Sequence, residues 1–279
     1  MADKYYSILH IITRLDCGGS AENTLLTSIG FAEKKHEVTV LYGSNHPSSE
    51  NEKIAKEAGV TFVRCKYLVR NISPINDFLC FLYIFSHIKN NRYDILHTHT
   101  SKAGIIGRIA GKLAGIPHII HTPHGHIFYG YFSNAITRIF ILIEWFTIKW
   151  TEAHIALTKQ EKKDYLMRKI GKANRTYVIY SGISMHDYLH PTRTKKEIRN
   201  SLGYDDNHFI CATAARLDPI KNHDIIIDSA QILEEYKKKL RFLFIGDGEL
   251  FYKLQNRIQT LGLNSMFKFL GWRKDVYEI

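Results

Sequence analysis

Short runs of β-branched and apolar residues alternate with longer segments of helical period along almost the whole chain. Residues 7–13 (SILHIIT), 38–42 (VTVLY), 61–64 (TFVR), 94–97 (DILH), 118–121 (HIIH), 153–157 (AHIAL) and 177–180 (YVIY) read as strands. Residues 50–58, 75–88, 101–115, 135–150 and 159–169 carry the helical pattern between them. A strand that returns to its sheet through a helix pairs parallel to its predecessor, with a right-handed crossover. The alternation therefore predicts an α/β fold with a doubly wound parallel sheet of about seven strands. A second alternation begins near residue 208, with strands at 209–215, 241–245 and 267–270. The passage 181–191 separates the two, giving domains at 1–186 and 187–279.

Composition narrows the partners. The chain has 279 residues, of which 45% are hydrophobic, enough for a substantial core. A formal charge of +11 suits nucleotide phosphates, nucleic acid or an acidic membrane surface. No recognisable nucleic-acid reader motif accompanies that charge, so nucleic acid is not an expected partner. Cys17, Cys65, Cys80 and Cys211 show no ligand spacing and read as free thiols of a reducing cytosol. The start lacks a secretory pattern, and the apolar segment 75–88 is shorter than the roughly 20 residues of a membrane span. A cytoplasmic location is expected.

Several stretches carry chemistry. Gly18-Gly19 stands between a strand and a helix, where a phosphate can approach backbone amides; a ligand-free tight turn is the other reading. It is not a dinucleotide fingerprint, because the third glycine is absent. His97 and His99 alternate at a strand end, but no third ligand has convincing spacing, so no metal is expected. Ser101 reads as the cap of the following helix. His121-Thr-Pro-His124-Gly-His126 leaves another strand end, the side on which parallel sheets collect ligands, and a histidine there could orient or polarise a substrate. In 135–150, Ile136, Ile139, Phe140, Ile143 and Trp150 form one apolar stripe, read as core. Ile141, Trp145 and Ile148 form a second. That helix is wedged between layers or offers one side to lipid or a partner; Arg138, Lys149 and Lys159 suit an acidic membrane. In Ala214–Asp224 (AARLDPIKNHD), Arg216 and Lys221 share a loop between a strand and a helix, a place that favours an anion. Two solvated surface cations remain the plainer reading.

Residues 215–224 (ARLDPIKNHD) resemble the GRLxxxKG/N signature of family 4 glycosyltransferases. The resemblance implies the GT-B architecture, two Rossmann-type domains facing a cleft. It implies that Arg216 and Lys221 bind the diphosphate of a nucleotide-sugar, with Gly18 and Gly19 facing the same phosphates. DILHTHTSKAG, residues 94–104, is similar to the family's DIVHxHxxKAG turn and puts His99 and Lys102 on the acceptor side. His124 matches the active-site histidine of the TxHG pattern, and HTPHGHIFYGYFS resembles the bacterial branch that builds capsule, O-antigen and related glycans. Gly246 and Gly248 match a GxG turn, and Phe269-Leu270-Gly271 an FLG strand; Trp272 and Arg273 then lie in the nucleotide-base region. Ser181-Gly182-Ile183 resembles the NGID linker.

The implied reaction moves a sugar from a nucleotide diphosphate to a lipid-linked glycan acceptor with retention. It would need no metal or other cofactor, because Arg216 and Lys221 would stabilise the departing diphosphate. The expected place is the inner face of the cytoplasmic membrane. The sequence departs from the family after Asp275, where relatives continue with paired glutamates and a returning helix. The second domain is therefore expected to be incomplete, with weak donor binding and little transfer by this chain alone. An inactive remnant or nucleotide-sugar-binding module is one alternative; a sugar-nucleotide epimerase or phosphorylase of the same architecture is another.

Overall fold

The computed structural model describes residues 4–15, 18–44, 49–125, 133–183 and 185–279. The features read at Cys17 and at residues 126–132, including His126, lie outside them. The chain divides into two compact units, Met1–Ile183 and Ser184–Ile279, and each is described by itself.

The first unit runs β1 (Ser7–Arg14), α1 (Gly19–Glu33), β2 (Glu37–Ser44), α2 (Ser49–Glu57), β3 (Thr61–Arg64) and α3 (Pro74–Asn91). It continues with β4 (Ile95–His99), α4 (Ser101–Ala114), β5 (His118–Thr122), α5 (Asn134–Thr147), β6 (Ala153–Ala156), α6 (Lys159–Met167) and β7 (Thr176–Val178). The seven strands form one sheet in the order β3-β2-β1-β4-β5-β6-β7. Every pairing described is parallel. The sheet winds outward in both directions from the β1–β4 pair.

Alternation along β1 sends its side chains to both faces. Leu9 and Ile11 join Leu41, Leu96 and Ile119 beneath Cys80, Ile84 and Ile88 of α3 and Ala103 and Ala110 of α4. Ile12 turns the other way, with Val38 and Val40, to meet Ala21 and Leu25 of α1 and Ala55 of α2. Small residues let α4 lie close to the sheet. A Cβ on Gly104, Gly107 or Gly111 would stand 2.4 Å from His121 Cε1, 2.7 Å from Thr98 Cγ2 or 2.3 Å from Leu96 Cδ2.

The structure corrects three details of the sequence reading. β4 extends to His99, so both histidines lie within the strand, and Thr100 at φ 62° takes the cap position in place of Ser101. β7 starts and ends earlier than residues 177–180. On α5, Ile136 and Ile139 of the stripe read as core are exposed, while of the second stripe Trp145 is exposed and Ile148, just beyond the helix, is buried. The cause is an ion pair: Arg108 of α4, fully buried, holds Glu144 at 2.7 Å and turns that side of α5 inward.

The second unit runs α7 (His186–Leu189), α8 (Lys195–Ser201), β8 (Phe209–Ala214), α9 (His223–Ile232), β9 (Leu240–Ile245), α10 (Phe251–Thr260) and β10 (Phe267–Gly271). Its three strands pair in parallel in the order β10-β9-β8. Phe242 and Phe244 meet Ile227, Leu254, Ile258 and Met266 in its core.

Two glycine substitutions should separate helix propensity from packing. Gly30 of α1 has nothing within 4 Å of a Cβ, so Gly30→Ala should raise stability by about 0.5–1 kcal/mol. Gly104→Ala gains the same propensity but drives a methyl into the buried His121 ring, and overpacking costs about 1–3 kcal/mol. The urea midpoint should rise for the first and fall for the second.

Candidate functional site

Parallel α/β sheets bind ligands outside the carboxyl ends of the strands, where the winding reverses. Here that place is the end of β1 and β4. The chain leaves β1 and enters α1 through Gly18 and Gly19. Gly18 is extended at φ 161°, and a Cβ on either glycine would meet nothing within 4 Å. Neither packing nor backbone angle requires glycine at this turn. Their effect is to leave the first amides of α1 open to an approaching group.

Three strands deliver histidines to the same end. His10 of β1 reaches His99 of β4, Nδ1 to Nε2, at 2.9 Å. His99 reaches His124, Nδ1 to Nε2, also at 2.9 Å. His97 meets Thr122 Oγ1 at 2.8 Å through its Nε2. His124 sits two residues past β5 at φ 56°, and Gly125 follows at φ 102°. Two successive left-handed residues make a sharp turn, and a non-glycine residue there is strained. The turn is held from below by Glu161 of α6, whose carboxylate accepts from the Gly125 amide at 3.2 Å and from the Leu157 amide at 2.6 Å. Thr100 is tied in turn: its amide donates to the Thr122 carbonyl at 3.1 Å, and its hydroxyl meets Thr13 Oγ1 at 3.0 Å.

Burial keeps these rings neutral. It pushes His10 down to about 3 and His124 to about 4. His97, His99 and His121 are held well below their ordinary value by the same desolvation, and His154 falls to about 3. At neutral pH His124 is therefore a hydrogen-bonding imidazole without charge.

The sequence offered no third metal ligand beside His97 and His99, and the structure supplies one: ligand atoms of His10, His97 and His99 lie within 4.8 Å of one another. The geometry favours hydrogen bonding. Zinc bonds of about 2.0–2.1 Å in a tetrahedron would hold two nitrogens about 3.3 Å apart, whereas His10 and His99 meet at 2.9 Å. Lys102 is engaged elsewhere. Its ammonium pairs with Asp77 at 2.6 Å and with the Asn71 carbonyl, fastening α4 to the start of α3.

In the second unit, Pro219 holds Asp218 extended, and a single 3-10 turn, Pro219–Lys221, precedes α9. Arg216 pairs with Asp218 at 2.8 Å, and Lys221 is exposed. Gly246 and Gly248 work against this loop. A Cβ on Gly246, at φ 136°, would stand 2.2 Å from the Ala215 carbonyl oxygen, and one on Gly248 2.6 Å from that of Leu217. The Leu217 amide also donates to the Asp247 carbonyl at 3.0 Å. The two glycines thus let one loop brace the other. Trp272 is 55% exposed, and Arg273 grips Asp275 through two bonds of 2.8 and 2.6 Å. Arg273 and Arg193 together hold the Asp275 carboxyl far below the usual carboxylate range.

Residues 17–187 match the description "Glycosyltransferase Family 4". The chain belongs to glycosyltransferase family 4. Residues 194–279 match "Glycosyl transferases group 1". The chain is 32% identical over 216 residues to the Escherichia coli UDP-Gal:alpha-D-GlcNAc-diphosphoundecaprenol alpha-1,3-galactosyltransferase, covering 76% of this chain and 56% of that protein. It is 26% identical over 200 residues to the putative glycosyltransferase EpsD of Bacillus subtilis, covering 69% and 51%. The chain thus spans little more than half the length of these relatives. The fold matches Anabaena HepE in complex with UDP and glucose, with a TM-score of 0.76 and 21% identity over 98% of this chain and 71% of that one. The architecture is that of the GT-B glycosyltransferases.

Within this family 4 chain, the structure draws His99 and His124 together and leaves Gly18 and Gly19 open at the same end of the sheet. It also joins residues that the sequence reading did not single out. His10 was read only as part of a strand; its one signal is a polar ring inside the apolar run SILHII. Glu161 and Asp218 gave none, since their partners are distant amides or a neighbouring arginine.

The neutral histidines should make stability fall as pH drops. A histidine buried with a lowered value binds its proton in the unfolded chain first, so its contribution is complete above about 6.5 and lost below it. Each should take away about 1.4 kcal/mol per pH unit. The urea midpoint should fall steeply between pH 6.5 and 5, before carboxylates begin to titrate, and His154→Phe should flatten that slope.

Proposed function

We propose that this chain, a glycosyltransferase of group 1 type, takes part in the transfer of a sugar from a uridine diphosphate donor to a lipid-linked glycan acceptor. The observation that supports it most is Arg216 with Lys221 between β8 and α9, in a chain 32% identical to a UDP-galactose-dependent transferase. Arg216 and Lys221 hold the donor diphosphate and take up its charge as the glycosidic bond breaks. Gly18 and Gly19 admit the phosphates to the start of α1. His124 contacts the transferred sugar. Gly246 and Gly248 brace the phosphate loop, and Trp272 with Arg273 flanks the uracil. The glycosidic configuration is retained, no divalent metal is needed, and the product enters a surface polysaccharide.

The acceptor's lipid implies work at a membrane. No helix among the described residues is long and apolar enough to cross one. α5 instead exposes Ile139, Leu142, Trp145 and Phe146, with Lys149 Nζ 3.6 Å above the Trp145 ring. α3 exposes Ile75, Phe78 and Leu82 at helical spacing. α4 lies between α3 and α5, in contact with both. Apolar side chains flanked by Arg138 and Lys149 suit the interface of an anionic bilayer. His99 and Lys102 belong to the acceptor side of this reading, Lys102 through its hold on α3.

Calorimetric titration with UDP tests the donor assignment. Arg216→Ala should lose roughly 2–4 kcal/mol of donor binding or transition-state stabilisation, and His124→Ala should bind UDP normally while slowing transfer. Unchanged affinity in folded Arg216→Ala would reject the phosphate role. Transfer should persist in EDTA; loss that added magnesium restores would reject the metal-free reaction.

Vesicle sedimentation tests the membrane face. Leu142→Glu with Trp145→Glu should lower binding to anionic vesicles at least about tenfold and leave UDP affinity unchanged. Equal binding by the variant would exclude α5 as the contact.

A further inference from the structure

The inter-ring bonds His10–His99 and His99–His124 form one continuous chain of imidazoles from the core of the sheet to the strained turn after β5. Each contact is nitrogen to nitrogen, so each contains one N–H donor and one bare acceptor. A neutral imidazole has one of each. The two bonds must therefore run in the same direction, and the state of one end fixes the state of the other.

The inner end is blind. His10 Nε2 is buried and has no hydrogen-bond partner among the described residues. The rings beside it other than His99 are Phe31, 6.2 Å away and tilted by 33°, and His97, 5.1 Å away and tilted by 43°, neither with the edge-to-face geometry that an N–H would need. The chain cannot pass protons onward, so it serves as a lock on tautomers. Two directions are open to it. In one, His10 Nδ1 donates to His99, His99 Nδ1 donates to His124, and the orphaned Nε2 of His10 is a bare nitrogen. In the other, that orphan is an N–H. Unpaired buried N–H groups are the rarer of the two in folded proteins.

We propose that His10, acting through His99, locks His124 in the tautomer whose Nδ1 carries the proton, so that His124 meets its substrate as a hydrogen-bond donor. His10 and His99 are positioning residues, and a neutral His124 with Nδ1–H cannot serve as a base through that nitrogen. The ring instead polarises an oxygen of the bound sugar or phosphate. This rests on the reading that His124 touches substrate, but the tautomer itself does not.

Nitrogen-15 NMR of the histidine-labelled protein at pH 7.5 tests the lock without any assay. His10, His99 and His124 should all show the Nδ1–H tautomer, with scalar coupling across both N–H···N bonds. An Nε2–H tautomer at His124, or absent couplings, would overturn the proposal. His10→Leu should release His124 into a mixture of tautomers, and His10→Asn, whose amide can donate from the place of Nδ1, should restore Nδ1–H. A fixed His124 tautomer in folded His10→Leu would also overturn it. Equimolar zinc should leave the couplings intact; their loss would replace the lock by a metal centre. Normal transfer by His124→Ala, with the lock established in the unaltered protein, would reject the substrate role alone.

Discussion

Between β1 and β4 the sheet changes its direction of winding, and most of what is chemically distinctive in the first unit follows from that pairing. Registering Ile8 with Ile95 puts His10 opposite His97 and Ile12 opposite His99. It also brings the β1 exit, with its two open glycines, beside the β4 exit, with its left-handed Thr100. A parallel neighbour whose crossover stayed on one side would have filled this place with a helix. The reversal of winding is where such sheets leave room for a ligand.

The polar groups that this arrangement buries are expensive, and the fold meets the cost in two ways. The buried imidazoles are kept neutral, with His10, His99 and His124 bonded to one another and His97 and His121 to threonines, which avoids the larger penalty of burying charge. Arg108 remains charged and is matched by Glu144 at 2.7 Å, with a further bond from Arg108 Nε to the Gly104 carbonyl at 2.8 Å. Breaking such a pair by removing one partner costs about 3–5 kcal/mol, far more than a surface pair. The same contact decides which side of α5 faces in, and so which apolar residues are left for solvent or lipid.

Local pattern carried most of the fold. Strand and helix order, parallel pairing and the three-strand second sheet were legible because each element has its own period and length. The errors have one physical character. Thr100 replaced Ser101 as the cap because pairing with β5 held His99 and Thr100 to the carboxyl end of that strand, and cap propensity is worth less than that pairing. Ile136 and Ile139 looked like core because hydropathy cannot register that Arg108, far away in sequence, would bury its charge against Glu144. Of the candidate residues, Arg216 and Lys221 were legible from their loop between a strand and a helix, while for Gly18, Gly19 and His124 the family resemblance supplied the role. His10 and Glu161 were invisible as site residues, because their significance lies wholly in contacts 89 and 36 residues distant.

In the second unit, the cation proposed to meet the donor diphosphate is already paired. Arg216 rests on Asp218, two residues along its own loop, with the two side chains 40% and 22% exposed. Such a half-exposed pair is worth about 0–1 kcal/mol, so giving it up costs little. A diphosphate offers more negative charge and a matched pair of oxygens for the guanidinium fork. Asp218 would then stand as a like charge beside the ligand, while its extended backbone is set by Pro219 and not by the ion pair. Gly246 and Gly248 add the rigidity that the loop needs for this exchange, since they press the β9–α10 turn against Ala215 and Leu217 by backbone contact alone. The loop is therefore stiff in its main chain and adjustable in its side chains, a combination that suits the phosphate role proposed for it.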